Sequence, residues 1–126
     1  MITLENANLK MIIQGYQGAL QWATSDRDDE SLEDYDFSTE ATDKINADCL
    51  KFYQDNLDLV LEILEVSDRN YDYSSIGHDF FLTRERHGAG FWDRGFGKLG
   101  DDITDICQTF GESFPYLGDD DLIYVS

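Results

Sequence analysis

The sequence predicts a single α+β domain, in which N-terminal helices pack on a small antiparallel sheet made of C-terminal hairpins. Apolar residues recur at helical spacing in residues 3–24, in 38–66 and again in 98–110. Residues 78–94 change to a strand-like pattern around a glycine-rich turn, and the chain ends in a second such pattern. A length of 126 residues with 41% hydrophobic residues suits one domain, residues 1–126, with one core.

The first predicted helix covers residues 3–24, with Thr3 as its N-cap. Its apolar side chains recur three or four positions apart, namely at Leu9, Ile12, Ile13, Tyr16, Leu20 and Ala23. Gly15 and Gly18 are unusual inside a helix, where each costs about 1 kcal/mol relative to alanine. We expect these two glycines to let another element approach the helix closely.

The longest predicted helix covers residues 38–66, with Ser38 or Thr39 as its N-cap. It has two apolar stripes, which predict a central position with partners on two sides. The stripes are Ile45, Cys49, Phe52, Val60 and Ile63, and then Leu50, Tyr53, Leu57, Leu61 and Leu64. Cys49 and Cys107 both fall in apolar helical patterns, and we interpret them as reduced core residues.

The remaining elements are predicted from turn residues and from changes of period. Residues 67–77 form a short helix or turn that is expected to stop at Gly77. After it we expect strands at 78–84 and 90–94 around a turn at 85–90, a helix at 98–110 that stops at Gly111, and a hairpin of 116–117 and 122–125 around a turn at 118–121. The acidic run in that last turn lacks the spacing of a calcium loop.

The chain is very acidic: 27 Asp and Glu residues against 9 Lys and Arg residues give a formal charge of −18. This charge repels nucleic acid and anionic membranes, so direct binding to either is disfavoured. It attracts basic partners, and a host protein that normally binds nucleic acid is the best candidate. The sequence has no signal peptide, membrane span or metal-binding motif, so we expect a cytoplasmic protein without a cofactor.

Two groups of acids are the candidate partner-binding residues. Residues 25–36 carry seven acids and one base, which predicts a mobile charged connector. Its candidate residues are Asp26, Asp28, Asp29, Glu30, Glu33 and Asp34. The second group follows one face of the 38–66 helix at spacings of three and four, and its candidates are Asp48, Asp55, Asp58, Glu62 and Glu65. That row, which also contains Lys51, spans roughly 25 Å and resembles part of a phosphate backbone, although an ordinary solvated face has the same pattern.

Residues 77–95 read GHDFFLTRERHGAGFWDRG. They resemble a signature, GHDF-x-LTR-x-x-HGAGFWDRG, of small uncharacterised proteins from bacteriophages and prophages. The tyrosine–glycine–acidic hairpin at the C terminus is similar too, so the resemblance covers about the last 50 residues. It implies a mobile-element origin, a bacterial host cytoplasm and an accessory role, and it brings no activity with it.

The same segment is a nearly neutral region on an acidic chain. Residues 77–98 carry four bases and three acids, so their formal charge is +1 against −19 for the rest. If the segment binds a small molecule such as a nucleotide, the candidate residues are His78, Arg84, His87, Trp92 and Arg94. A small hydrolase would use the two histidines as acid and base. On a strand, however, His78 and its neighbour Asp79 would face opposite sides.

A third interpretation is structural. The arginines and histidines would then hydrogen-bond to aspartates and carbonyl groups and hold an irregular hairpin together. Across these alternatives the leading hypothesis is a phage-type acidic interaction protein, which inhibits a host defence or regulatory protein by charge mimicry of nucleic acid.

Overall fold

The computed structural model describes residues 2–25 and 28–126. This part of the chain contains helices α1 (Ala7–Ala23), α2 (Thr39–Asp55), α3 (Leu57–Val66), α4 (Tyr73–Arg84) and α5 (Lys98–Gln108), and strands β1 (Asp36–Phe37), β2 (Tyr116–Leu117) and β3 (Leu122–Tyr124). The predicted α+β class is therefore confirmed. No helix in these residues is long and apolar enough to cross a membrane.

Side-chain caps fix where three of the helices begin. Asn6, Ser38 and Asp72 cap α1, α2 and α4, each accepting a hydrogen bond of 3.0 Å from the backbone N–H three residues on. Ser38 was one of the two predicted caps of α2. Thr3 does not cap α1, so this helix begins at Ala7, later than predicted.

The helices α1 and α4 make the most extensive contact between any two elements of the described chain. A glycine on each helix allows the approach. A Cβ added at Gly15 would lie 1.9 Å from the carbonyl oxygen of Ser74, and one added at Gly77 would lie 1.8 Å from that of Ile12. The expected close approach is thus confirmed at Gly15 but not at Gly18, where no other part of the described chain lies within 4 Å of an added Cβ.

The predicted strands at 78–84 and 90–94 are wrong. Residues 78–84 belong to α4, with Gly77 inside that helix rather than at its end, and residues 91–93 form a single 3₁₀ turn. Eight of the twelve residues of α4 are buried, so its apolar residues do not form the one-sided stripe by which a helix is recognised. The central helix is therefore α4, and not the segment 38–66.

The predicted helix at 38–66 is interrupted at Asn56, whose φ of −130° is not helical. The Asn56 side chain donates a hydrogen bond of 2.8 Å to the carbonyl oxygen of Phe52, which draws a carbonyl away from the helical ladder. The first apolar stripe is fully buried on both sides of this break. The second is mostly half-buried, and Leu61 is exposed.

The sheet is mixed, since β3 pairs in parallel with β1 and antiparallel with β2. The predicted C-terminal hairpin is confirmed as β2 and β3. The strand β1 was not predicted, and it comes from the middle of the chain. Ile123 at the centre of β3 is buried, and its carbonyl accepts a hydrogen bond of 2.9 Å from the N–H of Ser38, which joins α2 to the sheet.

The described part of the acidic segment, residues 28–36, is packed against α1 and does not fit the prediction of a mobile connector. Leu32 is fully buried, and its N–H donates to the carbonyl oxygen of Gln21 over 2.9 Å. The Gln21 side chain in turn donates to the carbonyl oxygen of Tyr35 over 3.0 Å. Elsewhere in the core, Cys49 and Cys107 are buried and free, as predicted.

Candidate functional site

The candidate acids on α2 and α3 do not form one continuous row. Asp55 lies at the end of α2, whereas Asp58, Glu62 and Glu65 lie on α3, beyond the break at Asn56; all four are exposed. Lys51 pairs with Asp55 over 2.9 Å, so that carboxylate is partly neutralised. Three carboxylates on α3 remain as an exposed acidic face, which is shorter than the predicted row.

Asp48 was a candidate partner-binding residue, but the structure assigns it to the fold. Its side chain is 25% exposed and its Oδ2 accepts a hydrogen bond of 2.8 Å from the buried Arg84. A carboxylate that neutralises a buried cation cannot be given up to a partner without leaving that cation unpaired. Asp48 is therefore removed from the acidic surface.

The candidates in the acidic segment are displayed as predicted where the structure describes them. Asp28, Asp29, Glu30, Glu33 and Asp34 are all exposed, and Asp26 lies outside the described residues. The packing of Leu32 on α1 anchors the backbone of the segment that carries these carboxylates. Since 9 bases can pair one-to-one with only 9 of the 27 acids, most carboxylates of the chain have no basic counterpart.

The five candidate ligand-binding residues do not form one site. Arg84 is only 4% exposed, and its guanidinium is used entirely within the fold. His87 and Trp92 are exposed on the turn that follows α4 and on the 3₁₀ turn. Only His78 and Arg94 converge, and they do so on a residue between them, Asp79.

The buried Asp79 is the centre of a partly exposed polar cluster. Its carboxylate accepts two hydrogen bonds from Arg94, at 3.1 Å from Nε and 2.8 Å from Nη2, and one of 2.6 Å from the hydroxyl of Tyr71. The Nδ1 of His78 lies 3.4 Å from Oδ1 of the same carboxylate. His78 and Asp79 are thus neighbours on one side of a helix, and do not face opposite sides as a strand would require.

Contacts within the cluster shift the pKa values of Asp79, Arg94 and Tyr71, and these shifts set their protonation states. Burial by itself raises the pKa of Asp79, but hydrogen bonds from His78, Arg94 and Tyr71 outweigh it and lower this pKa. The hydrogen bond to Asp79 raises the pKa of Arg94, and burial raises the pKa of Tyr71. Asp79 therefore stays ionised, Arg94 stays cationic and Tyr71 stays a hydrogen-bond donor at neutral pH.

This cluster lines one side of a cleft of about 440 Å³ between α1 and α4. The opposite side is α1 itself, which contributes the small residues Gly15, Gly18 and Ala19 together with Gln14. Trp22 follows on the same helix face, is 61% exposed, and stacks on His78 with ring centres 6.2 Å apart. Sequence reasoning missed the cleft, although the two glycines in α1 were a visible signal for it.

The structure does not bring His78 and His87 together in one cleft, as a hydrolase that used both histidines would require. His78 lines the cleft, whereas His87 does not and instead lies beside Phe81, with ring centres 6.1 Å apart. Among the described residues, no group of His, Cys, Asp and Glu side chains could hold a metal ion.

Comparisons with known proteins give no information on the function of this chain. No protein-family model matches the chain, and neither a curated protein nor a solved structure matches it. The resemblance of residues 77–95 to phage and prophage proteins therefore stays a prediction.

Proposed function

We propose that this chain is an acidic interaction protein of mobile-element origin that inhibits a basic host protein in the bacterial cytoplasm. The partner is a protein that binds nucleic acid, in host defence or regulation, and the chain occupies its nucleic-acid surface. The observation that carries the proposal is the net charge of −18, which is the excess of 27 acids over 9 bases.

Two exposed groups of carboxylates are assigned to the contact. The first is the segment anchored by Leu32, with Asp28, Asp29, Glu30, Glu33 and Asp34. The second is the α3 face, with Asp58, Glu62 and Glu65, extended by Asp55 at the end of α2. Because both groups belong to packed elements, less conformational entropy is lost on binding than a disordered acidic tail would lose.

The mechanism is competitive. Arginine and lysine side chains that normally hold phosphates would pair with these carboxylates through charge-assisted hydrogen bonds. Such binding weakens as salt rises, because surface charges are screened within about 10 Å at 0.1 M ionic strength. Nucleic acid and this chain should therefore exclude each other from the partner.

The test is capture of partners from a bacterial lysate by the tagged chain at low and at high salt. We expect one nucleic-acid-binding protein to be retained at low salt, to be lost at high salt, and to be released by added DNA or RNA. The triple variant Asp55→Asn, Asp58→Asn, Glu62→Gln should lose this partner.

A matched control removes three charges elsewhere. Asp101, Asp105 and Glu112 are also exposed, and lie in and just after α5. The variant Asp101→Asn, Asp105→Asn, Glu112→Gln has the same net charge as the first triple variant and should keep the partner. Equal loss in both variants would mean that net charge alone drives the capture, and retention by both would remove α3 from the contact.

A further inference from the structure

The cleft between α1 and α4 is separate from both acidic groups. Its volume of about 440 Å³ lies in the range of small-molecule sites. A second depression of about 290 Å³ adjoins it and shares Tyr71, Ser75 and Arg94 as lining residues. None of the exposed carboxylates assigned to the partner lines either depression.

Gly18 shows that the cleft is built into α1. A glycine inside a helix costs about 1 kcal/mol relative to alanine. At Gly15 that cost is explained by the carbonyl of Ser74, which leaves no room for a Cβ. At Gly18 no other part of the described chain lies within 4 Å of an added Cβ, so no close contact accounts for this glycine, and it leaves the wall of the cleft without a side chain.

Hydrogen-bonding groups of the cleft remain free for a ligand. The side chains of Gln14 and Ser74 line it and make no hydrogen bond with any other described residue. Arg94 uses Nε and Nη2 on Asp79, which leaves Nη1 free. His78 turns Nδ1 towards Asp79, which leaves Nε2 on the other side of the ring.

The charges and rings of the cleft define the class of ligand. Asp79 and Arg94 are the charged residues that line it, and they neutralise each other over 2.8 Å. An anion would also meet the field of a chain with a charge of −18. At the same time, the exposed ring of Trp22 stacks on His78 beside the cleft, which suits a flat ring.

We propose that this cleft binds an uncharged planar heterocycle with hydrogen-bonding edges, of the nucleobase or nucleoside class. The ring extends the stack that Trp22 and His78 form beside the cleft. Its polar edge meets the amide of Gln14, the hydroxyl of Ser74 and the free nitrogen of Arg94. This activity is independent of the acidic surface, so either proposal can fail without the other.

The test is calorimetric titration of the full chain with adenosine, guanosine, cytidine and uridine. We expect at least one of them to bind with one-to-one stoichiometry. Gly18→Phe places a ring in the open space and should weaken binding by about tenfold or more. As the matched control, Met11→Phe adds the same ring at an exposed position of α1 that lines neither depression, and it should stay within about twofold of the wild type.

Two further measurements test the class of ligand and the role of the stack. Trp22→Ala should weaken binding by about fivefold or more, because a stacking surface is lost. The matching 5′-monophosphates should bind more weakly than the nucleosides at low salt. The proposal is overturned if no nucleoside binds at millimolar concentration, if Gly18→Phe keeps full affinity, or if the monophosphates bind more tightly.

Discussion

Arg84 of α4 and Asp48 of α2 form an ion pair, in which Nη1 donates to Oδ2 over 2.8 Å. The same guanidinium donates to the hydroxyl of Tyr16 in α1 and to the carbonyl oxygens of Phe110 and Gly111 after α5. One buried side chain thus connects α1, α2 and α4 with the end of α5.

Removal of this cation should strongly destabilise the protein. Arg84→Met keeps much of the volume but leaves Asp48, Tyr16 and two carbonyl groups without their donor. Breaking a buried ion pair costs about 3–5 kcal/mol, and we expect a loss in that range in the free energy of unfolding measured with urea. Asp48→Asn should cost less, because an amide oxygen can still accept from Arg84.

The control for this experiment is Asp58→Asn on the exposed face of α3. It removes the same charge as Asp48→Asn but breaks no contact in the fold, so it should change the free energy of unfolding by at most about 0.5 kcal/mol. Equal effects at Asp48 and Asp58 would show that the ion pair with Arg84 does not stabilise the fold.

Elements with a one-sided apolar pattern or a clear turn could be predicted from the sequence. The helices α1 and α2 show the first kind of signal, and the hairpin of β2 and β3 shows the second. The helix α4 could not be predicted, because burial on most sides removes the periodic signal. Its residues are rich in aromatic side chains, which favour strands when read alone.

The candidate sites were predictable only in part, because contacts between residues far apart in the sequence depend on the fold. Asp48 and Asp58 look alike in the sequence, and only the fold shows that Arg84, 36 residues away, pairs with the first. His78 and Arg94 were both among the predicted ligand-binding residues, and in the structure both contact Asp79. Their meeting point at Asp79 depends on α4 being a helix, which the sequence pattern did not indicate.

Substitution by alanine should change the stability of the protein differently at Gly15, Gly18 and Gly77. At Gly15 and Gly77 an added Cβ would lie less than 2 Å from a carbonyl oxygen, so the helices must move apart. Overpacking of this kind costs about 1–3 kcal/mol or more, against a helix-propensity gain of about 1 kcal/mol. At Gly18 only the gain remains, so Gly18→Ala should stabilise the protein by about 0.5–1 kcal/mol.

Thermal or urea unfolding of the three variants gives this comparison directly. The order of stability expected is Gly18→Ala above the wild type, with Gly15→Ala and Gly77→Ala both below it. A Gly77→Ala variant as stable as the wild type would contradict the close approach of α4 to Ile12.

Acidic pH should weaken the fold through Asp79. Burial raises the pKa of this carboxyl group, but hydrogen bonds from His78, Arg94 and Tyr71 lower it to below the usual 3.8. A lowered folded-state pKa means that the ionised group stabilises the fold above about pH 4. That contribution is lost as the pH falls through the folded-state pKa.

The contribution of Asp79 is isolated by comparison with Asp79→Asn, since other acids titrate in both proteins. The wild type should exceed this variant in free energy of unfolding at pH 7. The difference should shrink as the pH falls below 4. A difference that is unchanged between pH 7 and pH 2.5 would contradict the lowered pKa of Asp79.

Both cysteines should be unreactive in the folded protein. Cys49 and Cys107 are fully buried, and burial raises the pKa of both thiols, so the reactive thiolate is scarce as well as inaccessible. We expect a colorimetric thiol reagent to label neither residue on the time scale of minutes at pH 8. In urea above the unfolding transition both should react promptly. The number of thiols labelled per chain then shows whether both cysteines are free. Rapid labelling of the native protein would place at least one of these residues at the surface, and the variants Cys49→Ala and Cys107→Ala would show which.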